Sequence, residues 1–259
     1  MTNTKGTTMP QIDDAELFGN AEDQCAYEDF CANQEAVEKF TLDKPALVCR
    51  WRMSNKKVPM LNRHIRALSE RLVQGEPLTH NMLSWAKQHV EWSLAEGDYT
   101  AHDGVLMLVI DVNGNAAMTV GEYEPLADTS AKALRARSAE ARSEADETGV
   151  APELLAAVDN GELAFVAPAD ECLCGTATLI EQLAQTKGIP VTRVDIPAQL
   201  KGALFLVSDE HGVVAAADSD AADSDAADSD AADSDAADSD AATVAFFAEG
   251  YEKLRARRS

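Results

Sequence analysis

Lys132 is the residue through which this chain could do covalent chemistry. It stands in Asp-Thr-Ser-Ala-Lys132-Ala-Leu-Arg-Ala-Arg-Ser, at the start of a helix whose spacing predicts a stop at Gly149. A lysine there, facing a cleft between a sheet-rich half and an α/β half, can act as a nucleophilic amine if desolvation and cationic neighbours favour its neutral form. The same stretch also fits a solvated helix face, because Lys132, Arg135, Arg137, Glu140, Arg142 and Glu144 recur at close helical spacing. The second candidate is Cys174-Gly-Thr-Ala-Thr178, which leads straight into an apolar helix. Such a helix start presents free backbone N–H groups at the positive end of the dipole and suits a phosphate, although threonine is also a good N-cap without any ligand. No metal site is expected: Cys172-Leu-Cys174 has no second pair and no histidine at ligand spacing. His80, His89, His102 and His211 have no partner at catalytic spacing and read as surface or helix-face histidines.

Composition narrows the classes. With 259 residues, 46% of them hydrophobic, the chain can bury the core of one large domain or two smaller ones. It has no apolar run long enough to cross a bilayer and no charged-then-apolar leader at its N-terminus, so a soluble, cytoplasmic protein is expected. Five cysteines at irregular spacing suit a reducing compartment better than a disulfide framework. The net charge of −23 is inflated by five tandem Ala-Ala-Asp-Ser-Asp units over 216–240, which supply ten of the 45 acidic residues. That repeat carries no large apolar side chain and is expected to be a disordered insert. It also lacks the turn glycine and closing glutamate of a calcium loop. The acidic balance argues against nucleic acid as a partner.

The elements that must position these residues follow from periodicity. Residues 1–20 are polar and read as a loose arm, and 21–40 are a weakly patterned helix. Ala46–Arg52 is a strand, followed by helices over 62–72 and 79–96; in the second, Trp85 and Trp92 lie seven apart on one face and read as core. The apolar run from Val105, then Asn113-Gly114 and Ala116–Val120, is a hairpin. In the second half, a short apolar stretch over 163–167 precedes the Cys174 helix, which stops at Gly188. Strands over 191–196, 203–207 and 213–216 follow, with a turn at Ser208-Asp-Glu-His-Gly212, and an amphipathic helix over 243–257 closes the chain. This is an α+β region over 21–126 followed by an α/β region over 127–259.

The order and spacing of Arg52, the His64-Ile-Arg-Ala-Leu segment, the 105–120 hairpin, Lys132, Gly175-Thr-Ala-Thr and Leu204–Ser208 resemble the class IV aminotransferase family. That family is dependent on pyridoxal 5'-phosphate (PLP) and includes branched-chain and D-amino-acid aminotransferases and aminodeoxychorismate lyase. The resemblance implies a two-domain α+β / α/β fold, with a smaller N-terminal domain, a larger C-terminal domain with a central sheet, and a cofactor cleft between them. It implies Lys132 as Schiff-base lysine, Arg52 on the cofactor phosphate, Gly175, Thr176 and Ala177 as the phosphate-binding turn, an amino acid or 2-oxo acid as substrate, and a homodimer. His64 would pack a helix start. Three features depart from the family pattern, the first being Thr178 in place of the arginine of the family's Gly-x-x-Arg. The interval 155–168 is short for the strand bearing the family's pyridine-nitrogen glutamate, and Asp209 stands where family members often present a hydroxyl to phosphate. They motivate an alternative: a family-shaped scaffold without catalysis, serving as a binding or interaction protein.

Overall fold

The computed structural model describes residues 25, 27–29, 41–97, 102–195, 197, 200–218 and 231–256. The chain divides into two compact units, Met1–Thr41 and Leu42–Ser259. In the first, Cys25 and 27–29 are helical, and the rest of the expected arm and helix lies outside the described residues. No helix among the described residues is long and apolar enough to cross a membrane.

The second unit is built on two main sheets. The first has three antiparallel strands, in the order β1 (Pro45–Met53), β4 (Gly104–Asp111), β5 (Ala116–Gly121). Between β1 and β4 lie helix α1 (Leu61–Ser69), a small β2 (Leu72–Val73) and β3 (Glu76–Pro77) pair, and helix α2 (His80–Glu96). The expected hairpin is present, and its turn is held by Asp111, whose fully buried carboxylate accepts from the backbone of Asp43, Asn113 and Asn115. Helix α3 (Ala131–Thr148) follows, with Ser130 as its N-cap and Gly149 in the left-handed conformation at its end.

The second sheet has five strands, in the order β10 (Gly212–Ala215), β9 (Ala203–Ser208), β6 (Leu154–Asp159), β7 (Glu162–Val166), β8 (Val191–Val194). Only the β7–β8 pair is parallel, joined through helix α4 (Gly175–Lys187). Helix α5 (Ala231–Arg255) ends the described chain. Leu154–Val158 is apolar without interruption because both faces of this sheet are covered. Leu154, Ala156 and Val158 pack with Ile180 of α4 and Phe247 of α5, whereas Leu155 and Ala157 pack with Ala131 and Leu134 of α3. The 155–168 interval therefore holds a hairpin that sequence reading missed, although its Asn160-Gly161 turn carried the usual signal: both residues have positive φ, 51° and 76°.

Strand β1 ties the two sheets together. Its free edge bonds Val48 N–H to the Gly149 carbonyl (2.9 Å) and Arg52 N–H to the Asp209 carbonyl (2.9 Å). Gly149 is needed at that junction, since a Cβ there would come within 2.0 Å of the Ala46 carbonyl oxygen.

Two expectations are corrected. The tandem repeat is not one disordered insert: 216–218 continue from β10 and 231–240 form the first turns of α5, while 219–230 lie outside the described residues. Its two ends are tied to the fold, with the Asp218 carboxylate accepting from Ala131 N–H (2.6 Å) and buried Asp240 accepting from Asn160 and Gly161 N–H (2.8 and 2.9 Å). Trp85 is core, but Trp92 is 55% exposed.

Candidate functional site

The α4 N-terminus is where the residues of several elements converge. Cys174 occupies the N-cap without capping through its side chain. The cap comes instead from 34 residues away: Gly175 N–H and Thr176 N–H donate to Asp209 Oδ2 (3.3 Å) and Oδ1 (2.7 Å). Asp209 lies on the β9–β10 turn, its backbone fixed by Arg52 of β1. On the other side of its carboxylate stands His64 of α1, with Nδ1 3.1 Å from Oδ2. His64 is buried because Leu61, His64 and Leu68 share one helix face, and its ring stacks on Trp51 at 5.5 Å. Burial alone would raise the Asp209 carboxyl, but the neighbouring His64 and the Thr176 bonds win and hold it at about 2. Gly175 makes room for this arrangement, since a Cβ would lie 2.4 Å from His64 Nδ1. His64 thus packs a helix start, as expected, and also lies against the Asp209 carboxylate, a contact that nothing in the local sequence announces.

Of the predicted site residues, Gly175, Thr176 and Ala177 are together at this helix start, and Ala177 is wholly buried against the second sheet. The Arg52 side chain and Lys132 are elsewhere. The Arg52 guanidinium lies over the Tyr123 ring, 3.1 Å from its centroid, and burial lowers its pKa. Lys132 is exposed on α3. The buried face of that helix runs through Ala131, Leu134, Ser138 and Ala141, so the next residue, about 100° round the helix, points away from the sheet. The enclosed space beside Asp209 is about 40 Å³, lined by Cys49, Trp51, His64, Arg71 and Cys174 among others, and neither Lys132 nor Arg52 borders it.

A second polar cluster lies around Glu153. Arg137 grips its carboxylate at 2.8 and 2.9 Å, His211 Nε2 is 3.6 Å away, and His211 Nδ1 is 3.4 Å from the Tyr123 hydroxyl. The His211 side chain is therefore largely covered, with 5% of it exposed, and is not the surface one expected. Glu153, Glu210 and His211 lie close enough to share a cation, but the bidentate arginine already occupies the oxygens that a metal would use.

These residues do not fit PLP. The amides expected to bind a phosphate are already taken by Asp209, and a second anion about 4 Å away would be repelled by about 4 kcal/mol at a dielectric of about 20. The cavity is far below the ~300–1,000 Å³ typical of small-molecule sites.

Comparison with solved structures gives the fold its class: it is that of the class IV PLP-dependent aminotransferases. The chain is similar to a protein from Thermotoga maritima assigned as a branched-chain amino acid aminotransferase, at 14% identity over 85% of this chain and 92% of that one, with a TM-score of 0.50. It is also similar to a hypothetical aminotransferase from Mycobacterium tuberculosis in its PLP-bound form (13% identity, 86% and 95% covered, TM-score 0.47) and to a fold IV transaminase from Curtobacterium pusillum (14%, 82% and 86%, 0.48). At such identity the likeness is one of fold. No family model and no curated protein matches the sequence.

Proposed function

We propose that this chain is a class IV aminotransferase-fold scaffold that works by non-covalent binding and carries out no lysine Schiff-base chemistry. The observation that carries this reading is the position of Lys132, exposed on the outer side of α3 and remote in lining from the enclosed space at the α4 N-terminus. A nucleophilic lysine must be desolvated to be neutral at ordinary pH, and Lys132 is open to solvent. The closed phosphate turn points the same way. An active enzyme on amino acid or 2-oxo acid substrates needs both parts, and here the turn is capped from within the chain while the lysine faces solvent.

The test is optical. Purified wild type incubated with excess PLP and then desalted is expected to remain colourless and to match Lys132→Ala. A yellow, lysine-bound pyridoxal that survives desalting and disappears in Lys132→Ala overturns the proposal.

A further inference from the structure

We infer that the cleft between the 54–60 turn and α2 is a binding site for a small amphipathic carboxylate, an acid with an apolar body and one anionic head. From the reading above this takes only that binding is non-covalent. The cleft holds about 660 Å³, inside the ~300–1,000 Å³ range of small-molecule sites. Its floor is apolar: Val90 and Leu94 recur four apart on α2, and Leu61 at the start of α1 and Val58 just before it line the same space. Half-buried Met60 and exposed Ala95 leave part of that apolar lining uncovered. The rim carries one sign of charge in excess. Lys56 and Lys57 border it against a single carboxylate, Glu91, in a chain whose net charge is −23. The nine-residue helix α1 adds to the same sign, because it starts in this cleft and its N-cap residue, Met60, offers no side-chain acceptor to the first amides. An apolar floor under a cationic rim is complementary to a ligand with both parts, and to neither part alone.

The wall that carries the lysines is built in advance. Of the five non-glycine residues with positive φ among those described, three lie on it: Asn55 (52°), Lys56 (57°) and Met60 (58°). Such conformations persist only where the surroundings hold them. Here Lys56 N–H donates to the His102 carbonyl (2.8 Å), Asn55 N–H donates to the Asp103 carboxylate (3.3 Å), and Ser54 and Lys57 exchange backbone bonds (2.9 and 3.1 Å). A ligand therefore meets a turn that is already ordered, and little of its binding is spent on closing it.

Calorimetric titration of the full chain with sodium hexanoate, octanoate and decanoate, each below its micelle-forming concentration, tests this. Two controls separate the parts: 1-octanol has the body without the charge, and sodium acetate the head without the body. Decanoate is expected to bind one site per chain with a dissociation constant below about 1 mM. Each methylene between six and ten carbons should tighten binding about two- to fourfold, 1-octanol should bind at least about threefold more weakly than octanoate, and acetate should give no saturable heat. Lys56→Gln and Lys57→Gln are each expected to weaken octanoate about two- to fivefold. Ala95→Glu sets a carboxylate on the α2 wall of the cleft and should weaken it at least about fivefold. Because Ala95 is exposed, this variant should melt close to wild type, so its loss of binding reads the cleft and not the fold. The inference is overturned by any of four results: no saturable decanoate binding, affinity independent of chain length, octanol as tight as octanoate, or octanoate binding unchanged in all three variants. The titration contains no PLP, and its acids carry no amino or oxo group. Failure here leaves the colour test untouched, and a yellow wild type that still binds octanoate overturns the proposed function alone.

Discussion

Replacing Asp209 by asparagine keeps the size of the side chain and one acceptor for Thr176 N–H, but removes the charge. The cost can be worked from titration. The carboxyl is held at about 2 in the folded chain against an ordinary 3.8, a difference that corresponds to about 2 kcal/mol. Because the folded value is the depressed one, the contribution is complete above about pH 4 and is lost as pH falls towards about 2. At pH 7 the variant should therefore be about 2 kcal/mol less stable, lowering the thermal midpoint by about 4–8 °C for a unit of this size. Urea unfolding at fixed pH values from 7 to 2 measures it, and buried Trp51, stacked on His64, is a local fluorescent reporter. Other carboxylates titrate in the same range, so the quantity to plot is the difference between wild type and variant. It should be flat at high pH and shrink between pH 4 and 2. A difference that is absent, or that stays constant down to pH 2, refutes the assignment of a charged Asp209 as the anion at the α4 N-terminus.

Two further comparisons use near-identical residues in different surroundings. Asp240→Ala leaves the amides of Asn160 and Gly161 without their acceptor and should cost about 1–3 kcal/mol. Exposed Asp238→Ala, in the same repeat unit, should stay within about 0.5 kcal/mol of wild type in the same urea assay. Gly175→Ala puts a methyl 2.4 Å from the buried His64 ring nitrogen and should cost about 1–3 kcal/mol through displacement of His64. Gly161→Ala, where nothing lies within 4 Å, should cost about 1 kcal/mol from its positive φ alone.

What was legible in the sequence was what a single segment decides. The β4–β5 hairpin followed from an apolar run ending in Asn113-Gly114, and α4 from its apolar face and a glycine stop. The orientation of α3 did not follow, because its buried stripe contains one large apolar residue, Leu134, among alanines and a serine. With so little contrast between faces, the sheet beneath determines which side is covered, and Lys132 falls on the other side. The repeat misled for a related reason: its units are identical, so composition cannot show that Asp218 caps α3 and Asp240 holds the β6–β7 turn.

The α4 N-terminus combines both kinds of information. Its amides were visible from Gly175 and Thr176, and Asp209 was visible as an anion out of place near a phosphate turn. What needed three dimensions was the sign of their meeting. Taken as a neighbour of a bound phosphate, Asp209 is a repulsive defect; taken as the occupant, it is the ligand, and the same charge that would expel a cofactor stabilises the helix start. His64 decides between the two, because a buried imidazole 3.1 Å from Oδ2 packs against the carboxylate and leaves no space beside it for a second anion. One side chain on the β9–β10 turn in this way supplies the anion around which β1, α1 and α4 are arranged.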